Sequence, residues 1–314
     1  MIDLRRLQTL RAVHQHGTVT AAAASLHLTP SAVSHHLREL ARELRLTLIE
    51  PQGRRIRLTP AAHLVIEHGD AMLARWEEAE AALDAYRDGT AGLLRMCGFP
   101  TALSGLLAPA AVRLRDSRPD LTVELSTCET DTGYDMLAST ETDLALIAPT
   151  DDAAPPDESR FDQRPILEEP LDLLVPPGHP LAGRDGVSLT DAADESWIVP
   201  RPGTCDHYQR VLANCNAAGF SLRISQYYAM EWSSISTLVS NGFGIALMPR
   251  LAETPEQHAA VRVPLTRGLV PTRRIVSCVR RGSREQPLIQ RGLRAVAAVL
   301  DARPDLRLSS PSGA

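Results

Sequence analysis

The chain has 314 residues, 44% of them apolar, enough for two or three domains with real cores. No apolar run nears the roughly 18 residues of a membrane span, and the opening MIDLRRLQTLRAV is amphipathic without a signal-peptide core, so a cytoplasmic protein with no membrane partner is expected. Residues 1–60 carry nine Arg and four acids, net +5, against −5 for the whole chain, which leaves −10 on residues 61–314; a basic head on an acidic body suits a module that meets phosphate while the rest stays clear.

Thr18 to Leu40 reads as two short helices joined by a tight turn. Thr29 can cap the second helix, and Pro30 fits its first turn, where a missing N–H costs nothing. Val33, Leu37, Leu40 and Leu44 then form one buried stripe. At about 100° per residue, Ser31, His35, Arg38 and Arg42 fall on the opposite side, with Ser34 on the shoulder. Small polar donors followed by arginines suit the DNA major groove. A solvated amphipathic helix would look similar. The Ala-rich helix and tight turn before it favour DNA binding.

Leu46 to Ile49 and Arg55 to Leu58 are expected as strands of a hairpin, with the turn at Pro51-Gln52-Gly53. Ile56 and Leu58 alternate with Arg55 and Arg57, so the arginines should point outward, toward phosphate or a minor groove. Thr59-Pro60 repeats the cap-plus-proline device and opens a helix to about Asp88, roughly 45 Å long. Val65, Met72, Ala79 and Tyr86 recur every seven residues, with Gly69, Trp76 and Leu83 in the second heptad position. That is a coiled-coil seam and predicts a dimer; a helix packed on its own domain is the alternative. Asp88 to Gly92 reads as a hinge.

Strands and helices then alternate, as in an α/β body. Strands are expected at Leu93–Phe99, Leu121–Ser126, Leu144–Ile147, Leu171–Val175, Trp197–Val199, Ile224–Tyr228, Ile245–Met248 and Arg274–Val279. Helices are expected at Leu106–Arg118, restarted at Pro109, and at Cys205–Ala218, Ser233–Ser240 and Glu285–Asp301. Asp151 to Ser159 reads as an acidic surface loop, and 304–314 as a flexible tail.

Residues 1–60 resemble the winged helix-turn-helix of LysR-type transcriptional regulators. The likeness rests on Leu4, Leu7, Leu10, Gly17-Thr18, Thr20, Ala22-Ala23, Leu26, Ala32-Val33-Ser34, Leu37, Leu44, Leu48, Arg54-Arg55 and Leu58-Thr59, in that order and spacing. Pro30-Ser31 replaces the family's frequent Gln-Pro and leaves Ser31 and His35 as base readers. Leu40-Ala41, Arg45, Leu48-Ile49-Glu50-Pro51 and Ala62 also depart from the pattern. HPLAGRDGVSL, DESWIVP and LVSNGFGIALMPR match the family's effector domain of two Rossmann-like lobes, similar to periplasmic binding proteins. The implied division is 1–60 head, 61–92 linker and hinge, and 93–303 effector domain, with lobe one at 93–165 plus 270–303 and lobe two at 166–269.

The DNA-contacting set is then Thr18, Thr29, Pro30, Ser31, Ser34, His35, Arg38, Arg42, Arg54, Arg55 and Arg57, and the dimer set Val65, Met72, Trp76, Ala79 and Leu83. Phe99-Pro100-Thr101-Ala102 joins a strand to a helix, where backbone N–H groups attract anions. The resemblance implies that this turn holds an effector carboxylate, with Ser104 assisting. Opposite lie Arg201, Pro202, Gly203 and Thr204, with Thr127 a weaker candidate, since ligands bind at such strand ends. The expected function is sequence-specific transcription regulation under an anionic small-molecule effector. The partners implied are double-stranded DNA, that effector and a homodimer or homotetramer, with RNA polymerase as a further candidate.

Cys97, Cys128, Cys205, Cys215 and Cys278 make no CxxC pair, so zinc is not expected, and an odd count in a chain expected in the cytoplasm argues against structural disulfides. Cys205 and Cys215 lie where peroxide-sensing relatives carry a redox pair, which leaves thiol sensing as an alternative. A small-molecule-binding or catalytic body with a non-DNA-binding head is another. Ser104, His207 and Asp206 can be arranged on paper as a triad, but no nucleophile-elbow or phosphate-binding pattern surrounds them. No enzyme and no cofactor are expected.

Overall fold

The computed structural model describes residues 3–52, 55–86, 92–150, 158–184 and 186–306. Three capped helices build the head. Asp3 accepts from the Arg5 N–H at 2.9 Å and starts α1, Leu4–His16, which Gly17 ends in the left-handed region. Thr18 caps α2, Val19–Ser25. Thr29, with Pro30 in the first turn, opens α3, Pro30–Leu44. Leu7, Leu10 and Val13 of α1 meet Ala22 and Ala23 of α2 and Val33, Leu37 and Leu40 of α3 in one core. Each fully buried Leu or Val there contributes about 1.5–3 kcal/mol.

The wing is displaced from its expected place. Its strands are β1, Ile49–Gln52, and β2, Arg55–Leu58, paired antiparallel with Ile49 opposite Leu58. Leu46 to Leu48 are therefore not strand, and Pro51 and Gln52 are strand rather than turn. Arg45 ends α3 in the left-handed region. The next residues carry the chain back to plug Leu48 into the head core, and the Thr59 hydroxyl clamps the exit by donating to the Thr47 carbonyl at 2.7 Å. Pro51 is tolerated because a two-stranded sheet has free edges. Gly53 of the expected turn and Arg54 lie outside the described residues.

Helix α4, Pro60–Tyr86, runs about 40 Å. Its first third is turned into the head: Val65 packs on the head core, and the Leu7 side chain lies 3.5 Å from where a Gly69 Cβ would stand. Val65 is thus no part of an open seam, because α1 lies across it. Further along, Met72, Trp76 and Leu83 are 48%, 53% and 51% exposed, and Ala79 is exposed with them. The hinge expected at Asp88 to Gly92 lies outside the described residues, apart from Gly92 itself.

The body opens with β3, Gly92–Gly98, and a continuous helical run. That run is α5, Pro100–Ala102, a π turn at Leu103–Leu107, and α6, Ala108–Ser117. The helix therefore starts at Pro100, not Leu106. Pro109 lacks the N–H that would bond the carbonyl four residues back, and the wider π turn absorbs the fault without a break. There follow β4, Leu121–Thr127; α7, Thr130–Ala138; β5, Leu144–Ile147; and β6, Phe161–Val175. Then come β7, Val187–Ser188; β8, Ser196–Val199; α8, Asp206–Ala217; β9, Arg223–Tyr228; and α9, Trp232–Ser240. The chain continues through β10, Ala246–Pro249; β11, Val261–Val263; β12, Leu265–Arg267; β13, Thr272–Arg280; and α10, Pro287–Asp301.

The main sheet runs β10-β6-β13-β5-β3-β4, with β11 also on β6. β3, β4 and β5 are parallel to one another, and β13 is antiparallel to β5. β6 joins two halves. It pairs with β13 as far as Pro170, then with β10 and β11 from Leu171 on. In the first half, α6 and α10 cover one face of the sheet and α7 the other. In the second, Trp197, Leu171 and Leu247 form one core and Ile198, Ile235 and Met248 another. Covered faces explain the continuous apolar run of β5.

Helix α7 was not anticipated. Gly133 breaks its pattern, yet only Gly fits there: a Cβ would lie 3.0 Å from Ile147 and 3.2 Å from the Cys128 sulfur. Of the expected acidic loop, residues 151–157 lie outside the described residues. Of the expected tail, Pro304–Leu306 instead form a short 3-10 turn with Leu306 in the core, and 307–314 lie outside the described residues. The head touches the body through Gln15, whose amide donates to Asp135 at 2.8 Å while its carbonyl accepts from Arg160 at 2.6 Å. Gly282 seats against α4 so closely that a Cβ would meet the Ala74 carbonyl.

Candidate functional site

Two surfaces hold the residues singled out from the sequence. On α3, Ser31, His35 and Arg38 are exposed, and Ser34 is half-buried beside them. Arg38 has no partner among the described residues. His36, one position on from His35, turns inward to the Thr9 hydroxyl at 3.0 Å, so the helix keeps a single polar outer face. Arg42 is exposed but leans on Glu39 at 2.6 Å, and that bond pulls the Glu39 carboxyl below its usual range. Thr18 and Thr29 are occupied as caps, accepting from Ala21 and Ala32 N–H groups at 3.1 and 3.2 Å. The Thr29 oxygen also meets Ser31 Oγ at 2.9 Å. On the wing, Arg57 pairs with its cross-strand neighbour Glu50.

The second surface is a cavity of about 110 Å³ between the halves of the body. From the first half come Phe99, Pro100, Thr101, Glu129, Thr130, Ala148 and Arg273; from the second, Cys205, Asp206, His207, Arg210, Met230, Glu231 and Trp232. Of the residues expected there, Phe99, Pro100 and Thr101 line it. Ala102 points into the core instead. Ser104 is satisfied within its own helix, its hydroxyl donating to the Pro100 carbonyl at 3.2 Å. Thr127 is exposed at the end of β4 and does not line the cavity. The turn carrying Arg201, Pro202, Gly203 and Thr204 folds on itself: Thr204 donates to the Arg201 carbonyl at 2.7 Å, and the Arg201 guanidinium lies 4.9 Å over the Tyr228 ring. The lining begins one residue later, at Cys205.

Arg273 is the main residue the sequence reading missed. It sits at the start of β13, far along the chain from the turn it supports. Its guanidinium stacks 4.4 Å from the Phe99 ring centre, pairs with fully buried Glu169 at 2.6 Å, and donates to Thr101 Oγ1 at 2.9 Å. An Arg inside an apolar strand pattern was the only available signal. His207 faces the same space, with its Nε2 3.0 Å from the Leu247 carbonyl. Burial, then Arg273 and Arg210, hold its pKa down at about 3, so the ring is neutral. A neutral imidazole there must donate from Nε2, which leaves Nδ1 an acceptor. With Ser104 and His207 committed to carbonyls, no triad forms.

Two family models match this chain. Residues 4–63 match the bacterial regulatory helix-turn-helix protein of the lysR family, and residues 87–301 match the LysR substrate binding domain. The chain belongs to the LysR family. It is a LysR-type transcriptional regulator with an effector-binding domain. The RuBisCO operon transcriptional regulator of Allochromatium vinosum is 29% identical over 204 residues, 65% of each chain and so just under two thirds of that protein. The transcriptional dual regulator GltC of Bacillus subtilis is 28% identical over 267 residues, 84% of this chain and 86% of its own. Full-length BenM shares the fold, with a TM-score of 0.60 at 20% identity over 99% of this chain and 100% of its own. The first two of these relatives are transcriptional regulators. Among the described residues no helix is long and apolar enough to cross a membrane.

The geometry does not favour thiol sensing at Cys205 and Cys215. They stand at the two ends of α8, ten residues and so about 15 Å apart along the helix. A disulfide needs Cα atoms within about 7 Å, so α8 would have to unwind. Burial also raises both thiols, Cys215 to about 12, which disfavours the reactive thiolate.

Proposed function

We propose that this regulator reads double-stranded DNA with the outer face of α3 and takes its effector in the cavity between the body halves. Ser31, Ser34, His35 and Arg38 are the base-reading set, with Arg42, Arg54, Arg55 and Arg57 on phosphate. The exposed stripe of Met72, Trp76, Ala79 and Leu83 on α4 pairs with a second copy, which would set two α3 helices in successive major grooves. Such dimers would associate further and act on RNA polymerase. The lobe division proposed is 93–165 plus 270–303 against 166–269, and effector binding would shift the balance of lobe arrangements and with it the spacing of the heads.

The observation that carries this reading is the cavity itself. Its walls come from both halves of the body, which β6 and β13 connect, so a ligand there touches both at once. The test is anisotropy on the intergenic DNA beside the protein's own gene, at two salt concentrations, with random DNA as competitor. Tight, competitor-resistant and salt-sensitive binding is expected. Absence of binding even at low salt would sink the proposal.

A further inference from the structure

The charges lining the cavity are unevenly matched. Both arginines are committed to the protein. Arg273 bonds Glu169 and Thr101, and Arg210 donates to the Ala148 carbonyl at 3.1 Å. The three carboxylates are not. Glu129, Asp206 and Glu231 make no ion pair or side-chain hydrogen bond among the described residues. Glu129 stands at the N-cap position of α7 without capping it. Asp206 opens α8 on the other half. Burial, and then the charge of Asp206, push the Glu129 carboxyl above its usual range. The charge of Arg273 pulls the other way with the smallest of the three effects, and His207, which lines the same space, is held neutral.

Thr101 adds an independent signal. It is only 5% exposed, its oxygen accepts from Arg273, and its hydroxyl proton has no acceptor among the described residues. The cavity thus offers one hydroxyl donor at its first wall, and carboxylates from both halves of the body that make no ion pair among the described residues. Like charges held together across a gap cost stability until a cation bridges them.

We propose that the effector carries a protonated amine, held between Glu129 and Asp206 with Glu231 at the rim, and a carboxylate or carbonyl that accepts from the Thr101 hydroxyl. The class is a small amino acid or amine-bearing acid. Its apolar part would lie against Trp232 and Met230. This inference rests on the reading of the cavity as the effector site. It replaces a purely anionic ligand by one with both charges, because the arginines are engaged and the carboxylates are not.

The test is thermal unfolding of the full chain with each of the twenty standard L-amino acids and with the 2-hydroxy acid corresponding to each. At least one amino acid is expected to raise Tm by several degrees while its hydroxy acid does not. Its affinity should fall tenfold or more in Glu129→Gln and in Asp206→Asn. If the hydroxy acid acts equally and Glu129→Gln retains the response, the amine is not read and the inference falls, while the effector site stands. If no amino acid shifts Tm, the inference falls. A response that survives Thr101→Val, Glu129→Gln and Asp206→Asn together places the ligand elsewhere and sinks the site as well. The ligand-free protein gives a second readout. Glu129→Gln is expected to raise its Tm by relieving repulsion; a lower Tm would mark Glu129 as a structural contact and overturn the assignment.

Discussion

The head and the body use the same residue for opposite purposes. All 33 basic residues are Arg. On α3, Arg38 stands in solvent without a partner among the described residues, its fork open to bases or phosphate. In the body, several arginines are drawn inward and paired with carboxylates. Arg250 and Arg262 share the buried Asp172, Arg273 holds Glu169, and Arg280 joins Glu77 of α4 to Asp143. The difference teaches that an arginine count says little about nucleic-acid binding. What matters is whether the local fold supplies a carboxylate, because a buried guanidinium without one is costly.

The sharpest way to break this comparison is at Glu169. Its replacement by Ala would strand the buried Arg273 charge, and a loss of about 3–5 kcal/mol is expected in denaturant unfolding. A loss comparable to an ordinary surface change would show that Arg273 is hydrated rather than held by its carboxylate.

The next effect is set by pH. The folded value of His207, about 3, lies below that of an unfolded His, about 6.5. The unfolded chain therefore binds a proton the folded chain refuses. Stability is full above pH 6.5 and falls as pH drops from there toward 3. Between pH 7.5 and 5 the protein should lose about 2 kcal/mol more than His207→Gln does. Equal losses in the two chains would mean that the imidazole is solvated.

In the head, Arg38→Ala should weaken specific DNA binding about tenfold or more and flatten its salt dependence. Its unfolding midpoint should stay unchanged, because nothing in the fold leans on that side chain. A stability loss with intact DNA affinity would reverse the contrast between head and body. The smallest effect is expected at Thr29, where Ala removes the cap of α3 and costs about 1 kcal/mol, recovered by Ser. If Thr29→Ala leaves Tm unaltered, Pro30 and packing alone start the helix.

The head was largely legible in the sequence. The cap at Thr29, read from Thr-Pro, and the Val33-Leu37-Leu40 stripe and outward Arg38, read from a period near 3.6, are local, and the structure has them in place. The wing was misplaced because Leu46 to Ile49 looks like a strand until one knows that Leu48 must plug the head core. Val65 and Gly69 fitted a heptad, but α1 covers them, and no periodicity within one helix can show what lies across it.

The cavity was legible only in part. The turn at Phe99 to Thr101 announces itself, since a strand followed by Pro reads as a helix start. Arg201 to Thr204 gave an equally clear turn signal and fell outside the lining by one residue. Arg273, Glu129, His207 and Trp232 carried no motif. They come from four separate elements and meet only because β6 runs through both halves and the chain returns to the first half at β13.

The sequence by itself determined what depends on neighbours along the chain: the helix starts, the buried stripes, the charge contrast between head and body, and the family pattern. Tertiary structure alone decided which charges are neutralised and which are left facing the cavity. Helix periods and caps are short-range and repeat within a few residues, whereas a charge is matched by whatever carboxylate or carbonyl the fold brings to it, and for Arg273 that partner, Glu169, is 104 positions away.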